Sequence, residues 1–180
     1  GFFFTNGGAD STRFAWMWAR AKGYFDVVAY TGNGTAGRTV SHNLGVAPEM
    51  IWVKRRNTTA SWPVYHSALG NSKYITLNDT GAASSSGTAF WNSTSPTATE
   101  FTVDGNTRAN GSGSNYIAYL FATVAGISKV GSWTMASGNN DIDCGFSSGA
   151  RFVLIKNASA TENWIVWDSE RGIVSGNDPY

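Results

Sequence analysis

Ionic charge is scarce in this sequence. Of its 180 residues 14% are charged, and 13 Lys and Arg stand against 12 Asp and Glu for a formal net charge of +1. Soluble domains ordinarily carry about 25% charged residues. With no excess of cations to counter phosphate, sequence-independent binding to nucleic acid has no electrostatic basis, and no nucleic-acid partner is expected. Cysteine is reduced to Cys144, which excludes an internal disulfide framework and a cysteine-based zinc site. No apolar run approaches the ~18 residues of a membrane-spanning helix, so no membrane span is expected. The chain opens Gly1-Phe2-Phe3-Phe4 with no initiator Met and no basic run, which resembles neither a native start nor a signal peptide. It reads as part of a longer polypeptide.

Aromatic residues make up 14% of the chain and hydrophobic ones 42%, alongside 21 Gly, a composition opposite to that of disordered chains. Strand-like runs recur at 14–19, 25–31, 50–54, 62–65, 74–77, 100–103, 116–122, 130–134, 152–156 and 164–167. Turn clusters such as Gly32-Asn33-Gly34, Ala83-Ser84-Ser85-Ser86-Gly87 and Asn110-Gly111-Ser112-Gly113-Ser114 separate them. Short strands at ~8–12-residue spacing read as a sandwich or barrel. The one helix candidate, 13–22, alternates Phe14, Trp16 and Trp18 with Ala15, Met17 and Ala19, which is a strand pattern. The fold class expected is all-β, antiparallel, with no helix beyond a turn or two.

An internal repeat organises the chain. The run from Gly23 to Thr31 lies over that from Gly126 to Thr134 at an offset of 103. After the loss of one residue, Met50-Ile51-Trp52-Val53-Lys54 lies over Phe152-Val153-Leu154-Ile155-Lys156 at an offset of 102. The same offset carries Trp62-Pro63-Val64-Tyr65-His66-Ser67 onto Trp164-Ile165-Val166-Trp167-Asp168-Ser169. Such a period marks a supersecondary unit that stacks on or pairs with its neighbour. The expected division is closing strands of a preceding or permuted module in 1–22, a complete β module in 23–125 and a truncated one in 126–180. Either the chain is a slice of a tandem array, or 14–19 completes the second unit where 117–122 completes the first. The runs at 50–53, 116–122 and 152–155 are apolar on both faces, so a sister unit or another chain must cover the second face.

Motifs that could carry chemistry have plainer readings. Gly32-Asn33-Gly34-Thr35-Ala36-Gly37 satisfies the glycine-rich dinucleotide pattern, yet a strand pattern, Arg38-Thr39-Val40-Ser41-His42, follows where a helix must begin. It reads as a loop, and no cofactor is expected. His42 beside Ser41 and His66 beside Ser67 offer adjacency alone, because neighbours on a strand point to opposite faces. Asp141 with Asp143, and Asp168 with Glu170, are carboxylate pairs suited to glycosidic acid/base work only at the right separation, and the first unit has no equivalent acids. The turn Asn139-Asn140-Asp141-Ile142-Asp143 is oxygen-rich enough for calcium but lacks the helix-loop-helix spacing, and the plainer reading is an Asx-stabilised turn. No catalytic residue and no metal ligand is assigned.

Trp62 and Trp164 hold equivalent places in the two copies, followed by Tyr65 and Trp167 on the opposite strand face. An outward aromatic beside a polar group is what stacking on a sugar ring requires, so Tyr65 with His66 and Trp167 with Asp168 are the candidate ligand-binding residues. The alternative is that these aromatics pack between sheets.

The pattern Tyr30-Thr31-Gly32-Asn33-Gly34, then Val40-Ser41-His42-Asn43-Leu44-Gly45-Val46-Ala47-Pro48-Glu49, then Val53-Lys54-Arg55-Arg56, resembles an uncharacterised module of tail and tail-fibre proteins of marine phages, especially cyanophages. Tyr116-Ile117-Ala118-Tyr119-Leu120-Phe121-Ala122, Ile142-Asp143-Cys144-Gly145-Phe146 and Trp167-Asp168-Ser169-Glu170-Arg171-Gly172 share the resemblance. It implies a non-enzymatic structural or adhesive role in a virion tail, assembled in the host cytoplasm and exposed outside the cell. The partners it implies are other virion chains or copies of itself, a homotrimer by analogy, and a host-surface glycan. The competing expectation is a glycan-active enzyme or a free lectin-like domain.

Overall fold

The computed structural model describes residues 15, 17–85 and 90–170. Among these the regular structure is β, with a single 3-10 turn at Ser67–Leu69. The strands are β1 (Phe25–Thr31), β2 (Arg38–Ser41), β3 (Met50–Arg55), β4 (Pro63–His66), β5 (Lys73–Thr76), β6 (Ser84–Ser85), β7 (Glu100–Val103), β8 (Asn115–Phe121), β9 (Phe152–Ile155) and β10 (Ile165–Asp168). They form an antiparallel six-stranded sheet in the order β1-β8-β3-β4-β5-β6 and two antiparallel pairs, β2 with β7 and β9 with β10.

Register assigns every central residue to a face. Asp26, Leu120, Ile51 and Tyr65 form one row across the sheet, and Val28, Ala118 and Val53 the next. This is the inner face, which shares one buried cluster with Val40 of β2, Phe101 and Val103 of β7, and Leu44, Phe90, Trp91 and Ala109 from the connections. Each fully buried aliphatic or aromatic side chain contributes roughly 1.5–3 kcal/mol relative to exposure. The alternate residues form the outer rows Phe25, Phe121, Met50, His66 and Val27, Tyr119, Trp52, Val64, Ile75. The sequence pattern for β3 and β8, apolar at consecutive positions, thus reflects a sheet that needs cover on both sides.

On the outer side a ring from the N-terminal segment joins the sheet to the second unit. Trp18 lies with its centroid 5.9 Å from Phe25, 5.9 Å from Phe121, 6.3 Å from Trp52 and 5.7 Å from Phe152 of β9. Polar bonds complete the joint: Trp164 Nε1 donates to the Thr76 carbonyl at 2.9 Å, Ala83 N to the Ala158 carbonyl at 2.9 Å and Glu162 N to the Thr80 carbonyl at 2.9 Å.

Local geometry recurs at the offsets seen in the sequence. The tight turn that closes from Ala21 to Phe25 through Gly23 (φ 76°) reappears from Val124 to Ser128 through Gly126 (φ 73°). β3 and β4 pair Met50 with His66 and Ile51 with Tyr65; β9 and β10 pair Phe152 with Asp168 and Val153 with Trp167, each position shifted by 102. Ser67 N donates to the Glu49 carbonyl at 2.8 Å, and Ser169 N to the Arg151 carbonyl at 3.0 Å.

Two expectations need correction or delimiting. Residues 130–134, expected as a strand, form none. Their counterpart β1 is held by a full ladder with β8, whereas among the described residues no strand pairs with 130–134. The expected strand at 14–19 falls partly outside the described residues, which exclude Phe14 and Trp16; Ala15 and residues 17–19 lie in no ladder.

Removing the Trp18 ring should loosen the joint before it loosens the first core. Trp18→Ala is expected to lower the free energy of unfolding by about 2 kcal/mol, the scale of a partly buried large side chain. Hydrogen exchange should accelerate in β9 and β10 more than in β8.

Candidate functional site

The glycine-rich run at 32–37 is a loop locked to the 105–114 connection. Asn110, 0% exposed, lies at the centre of that lock. Its Nδ2 donates to Asn33 Oδ1 at 3.1 Å and to the Thr35 carbonyl at 2.8 Å, while its Oδ1 accepts from Asn33 N at 3.0 Å and Arg38 Nη1 at 3.2 Å. Gly32 is there because nothing larger fits: a Cβ would lie 2.3 Å from the Gly111 carbonyl oxygen. Below the lock, Tyr30 and Tyr116 stack at 5.2 Å, their hydroxyls donating to the Ala109 carbonyl at 2.7 Å and the Thr107 carbonyl at 2.6 Å. β2 follows at Arg38, so the arrangement that would present helix amides to a pyrophosphate is not formed.

Both imidazoles spend their nitrogens on backbone. His42 Nδ1 accepts from Leu44 N at 3.2 Å and its Nε2 faces the Thr97 carbonyl at 3.2 Å, which fixes the neutral Nε2–H tautomer. His66 Nδ1 caps the 3-10 turn by accepting from Ala68 N at 3.2 Å, and its ring also meets the Gly131 backbone of the second unit. Burial pushes both pKa values below the ordinary histidine value; Thr97, Asp26 and Glu100 oppose the shift at His42, and Glu49 and Gly131 oppose it at His66. In the second copy Asp168 takes the place of His66, its Oδ1 accepting from Glu170 N at 3.1 Å in the same i to i+2 bond.

The structure separates the proposed ligand-binding residues. Tyr65 is 5% exposed and lies on the inner face against Trp91, ring centroids 5.7 Å apart, so the expected outward platform is not there. Parity was right and direction wrong: Val64, on the other face, is buried too, because both faces are covered. Trp167 is half-buried opposite Val153, and Asp168 is buried. His66 is half-buried in the outer row. The oxygen-rich turn is built by Asn140, which bonds the backbone of Ala136 and Gly138, and by Asp143, which accepts from Gly145 N at 2.7 Å, as in an ordinary Asx turn.

What sequence reasoning missed is the aromatic joint on the outer face. Trp62 stacks on Tyr119 at 6.4 Å, Trp52 packs on Phe121 at 4.6 Å, and Lys54 Nζ lies 5.8 Å from the centre of the Trp62 ring. Trp52 Nε1 is buried with no hydrogen-bond partner. Alternation along β3 and β8 placed these rings on one face, but only cross-strand register assembles them into a row.

The chain belongs to the DUF7483 family, a domain of unknown function whose profile matches residues 5–178 and so takes in both repeats. No curated protein and no solved structure matches it.

Acid should weaken the fold in two steps. His42 and His66 are depressed, so the folded state binds protons less readily than the unfolded chain. Stability is full above their ordinary value of about 6.5 and falls as pH drops through it. Asp26 faces burial, which alone would raise its pKa, but bonds from Arg20, Asn43 N and Val27 N and the Arg20 charge hold it below the ordinary carboxylate value. Its contribution is present above about pH 4 and is lost below. Urea midpoints measured against pH should show both slopes, with His42→Gln flattening only the first.

Proposed function

We propose that this chain is a structural module of a virion tail or tail fibre, built to be repeated and to hold its neighbour. The observation that carries this reading is the recurrence of one turn at an offset of 103 and one hairpin register at 102, in units bound to each other by backbone hydrogen bonds and a shared ring. The imidazoles that an acyl-transfer site would need are engaged in backbone support. The resemblance of its motifs to marine-phage tail modules supports the virion setting. Self-association, with a trimer as the form that analogy favours, belongs to the same proposal.

Adhesion to a host-surface glycan is the finer form of this reading. Tyr65 takes no part in it; Trp167, half-buried beside Asp168, is the aromatic left to stack on a sugar. Light scattering should return an oligomer of the chain, and a monomer at all concentrations contradicts the assembly role. On a glycan array the adhesive form predicts retention without cleavage, weakened by Trp167→Ala. Cleavage of a retained glycan would replace it with the enzyme reading.

A further inference from the structure

The loop lock joins two Asn-Gly sequences, Asn33-Gly34 and Asn110-Gly111, and Asn-Gly is the dipeptide in which asparagine most readily loses its amide. Glycine has no Cβ to hinder approach of its own nitrogen to the preceding side chain. In that reaction the glycine nitrogen gives up its proton and bonds to the asparagine Cγ. The Cγ–Nδ2 bond breaks, ammonia leaves, and water then opens the cyclic imide to aspartate or isoaspartate.

Here each glycine nitrogen is held elsewhere. Gly34 N donates to the Asn110 carbonyl at 2.7 Å, and Gly111 N donates to the Tyr116 hydroxyl at 2.8 Å. Each asparagine also fixes the other's amide, through the Asn110 Nδ2 bond to Asn33 Oδ1 and the Asn33 N bond to Asn110 Oδ1. Asn110 is fully buried, so the water that would open the imide is excluded, whereas Asn33 is exposed and rests on the bonded Gly34 nitrogen for its protection.

We propose that Asn33 and Asn110 are paired deamidation sites, silent while the two loops are joined and converted once they part. Opening of the lock is thereby recorded irreversibly. A carboxylate at position 110 would face Asn33 Oδ1 and the Thr35 carbonyl, two acceptors that now receive the Nδ2 protons, at a position with no exposure to solvent. The modified loops therefore cannot rejoin in the same way.

The test is peptide mapping of the full chain after incubation in mildly alkaline buffer, native and in denaturant. Conversion at both sites is expected in denaturant and at least about tenfold more slowly in the native protein, where it must wait for local opening. Tyr116→Phe, which leaves Gly111 N without its acceptor, should accelerate native conversion at Asn110 more than at Asn33. If that variant does not fold, hydrogen exchange at Gly34 and Gly111 in the unaltered chain supplies the second readout, and both amides should be protected. Native conversion at the denatured rate at either site, or rapid exchange of either glycine amide, overturns the proposal.

Discussion

The arrangement depends on one constraint: β3 and β8 are apolar on both faces, so the sheet they centre cannot leave either face in water. On the inner side Ile51, Val53, Ala118 and Leu120 meet Val40, Phe101 and Val103 of the β2-β7 pair. On the outer side Phe25, Trp52 and Phe121 meet Trp18, and through it Phe152 of the second unit. The second unit is thus part of the burial of the first. The same need accounts for the polar bonds at the seam, where Trp164 and Glu162 satisfy carbonyls of residues 76 and 80.

The lock at Asn110 is the polar counterpart of this arrangement. Loops 31–38 and 105–114 lie at one end of β1 and β8, where the sheet would otherwise leave backbone donors and acceptors unpaired. One buried amide satisfies four of them or their side-chain equivalents. The glycines follow from that closeness, as at Gly32, which abuts the Gly111 carbonyl.

Much of this was legible in the sequence. Short strand-like runs bounded by Gly and Asn clusters gave the strands, and the offsets of 103 and 102 pointed to turns and a hairpin that do recur. What could not be read was direction and company. The step from Val64 to Tyr65 defines opposite faces, but where both faces are buried parity does not say which one meets the core. Residues 130–134 have strand composition yet form no strand, because β propensity is expressed only against a partner ladder. The pairing of Asn33 with Asn110 spans 77 residues and leaves no local signal.

The claim most exposed to test is that Trp18 joins the outer face of the first unit to Phe152 of the second. A double-mutant cycle of Trp18→Ala and Phe152→Ala measures that coupling in unfolding free energy. An aromatic pair in edge contact predicts a coupling of about 0.5–1.5 kcal/mol. Strict additivity of the two substitutions would mean that the rings do not meet and that the units are not joined there.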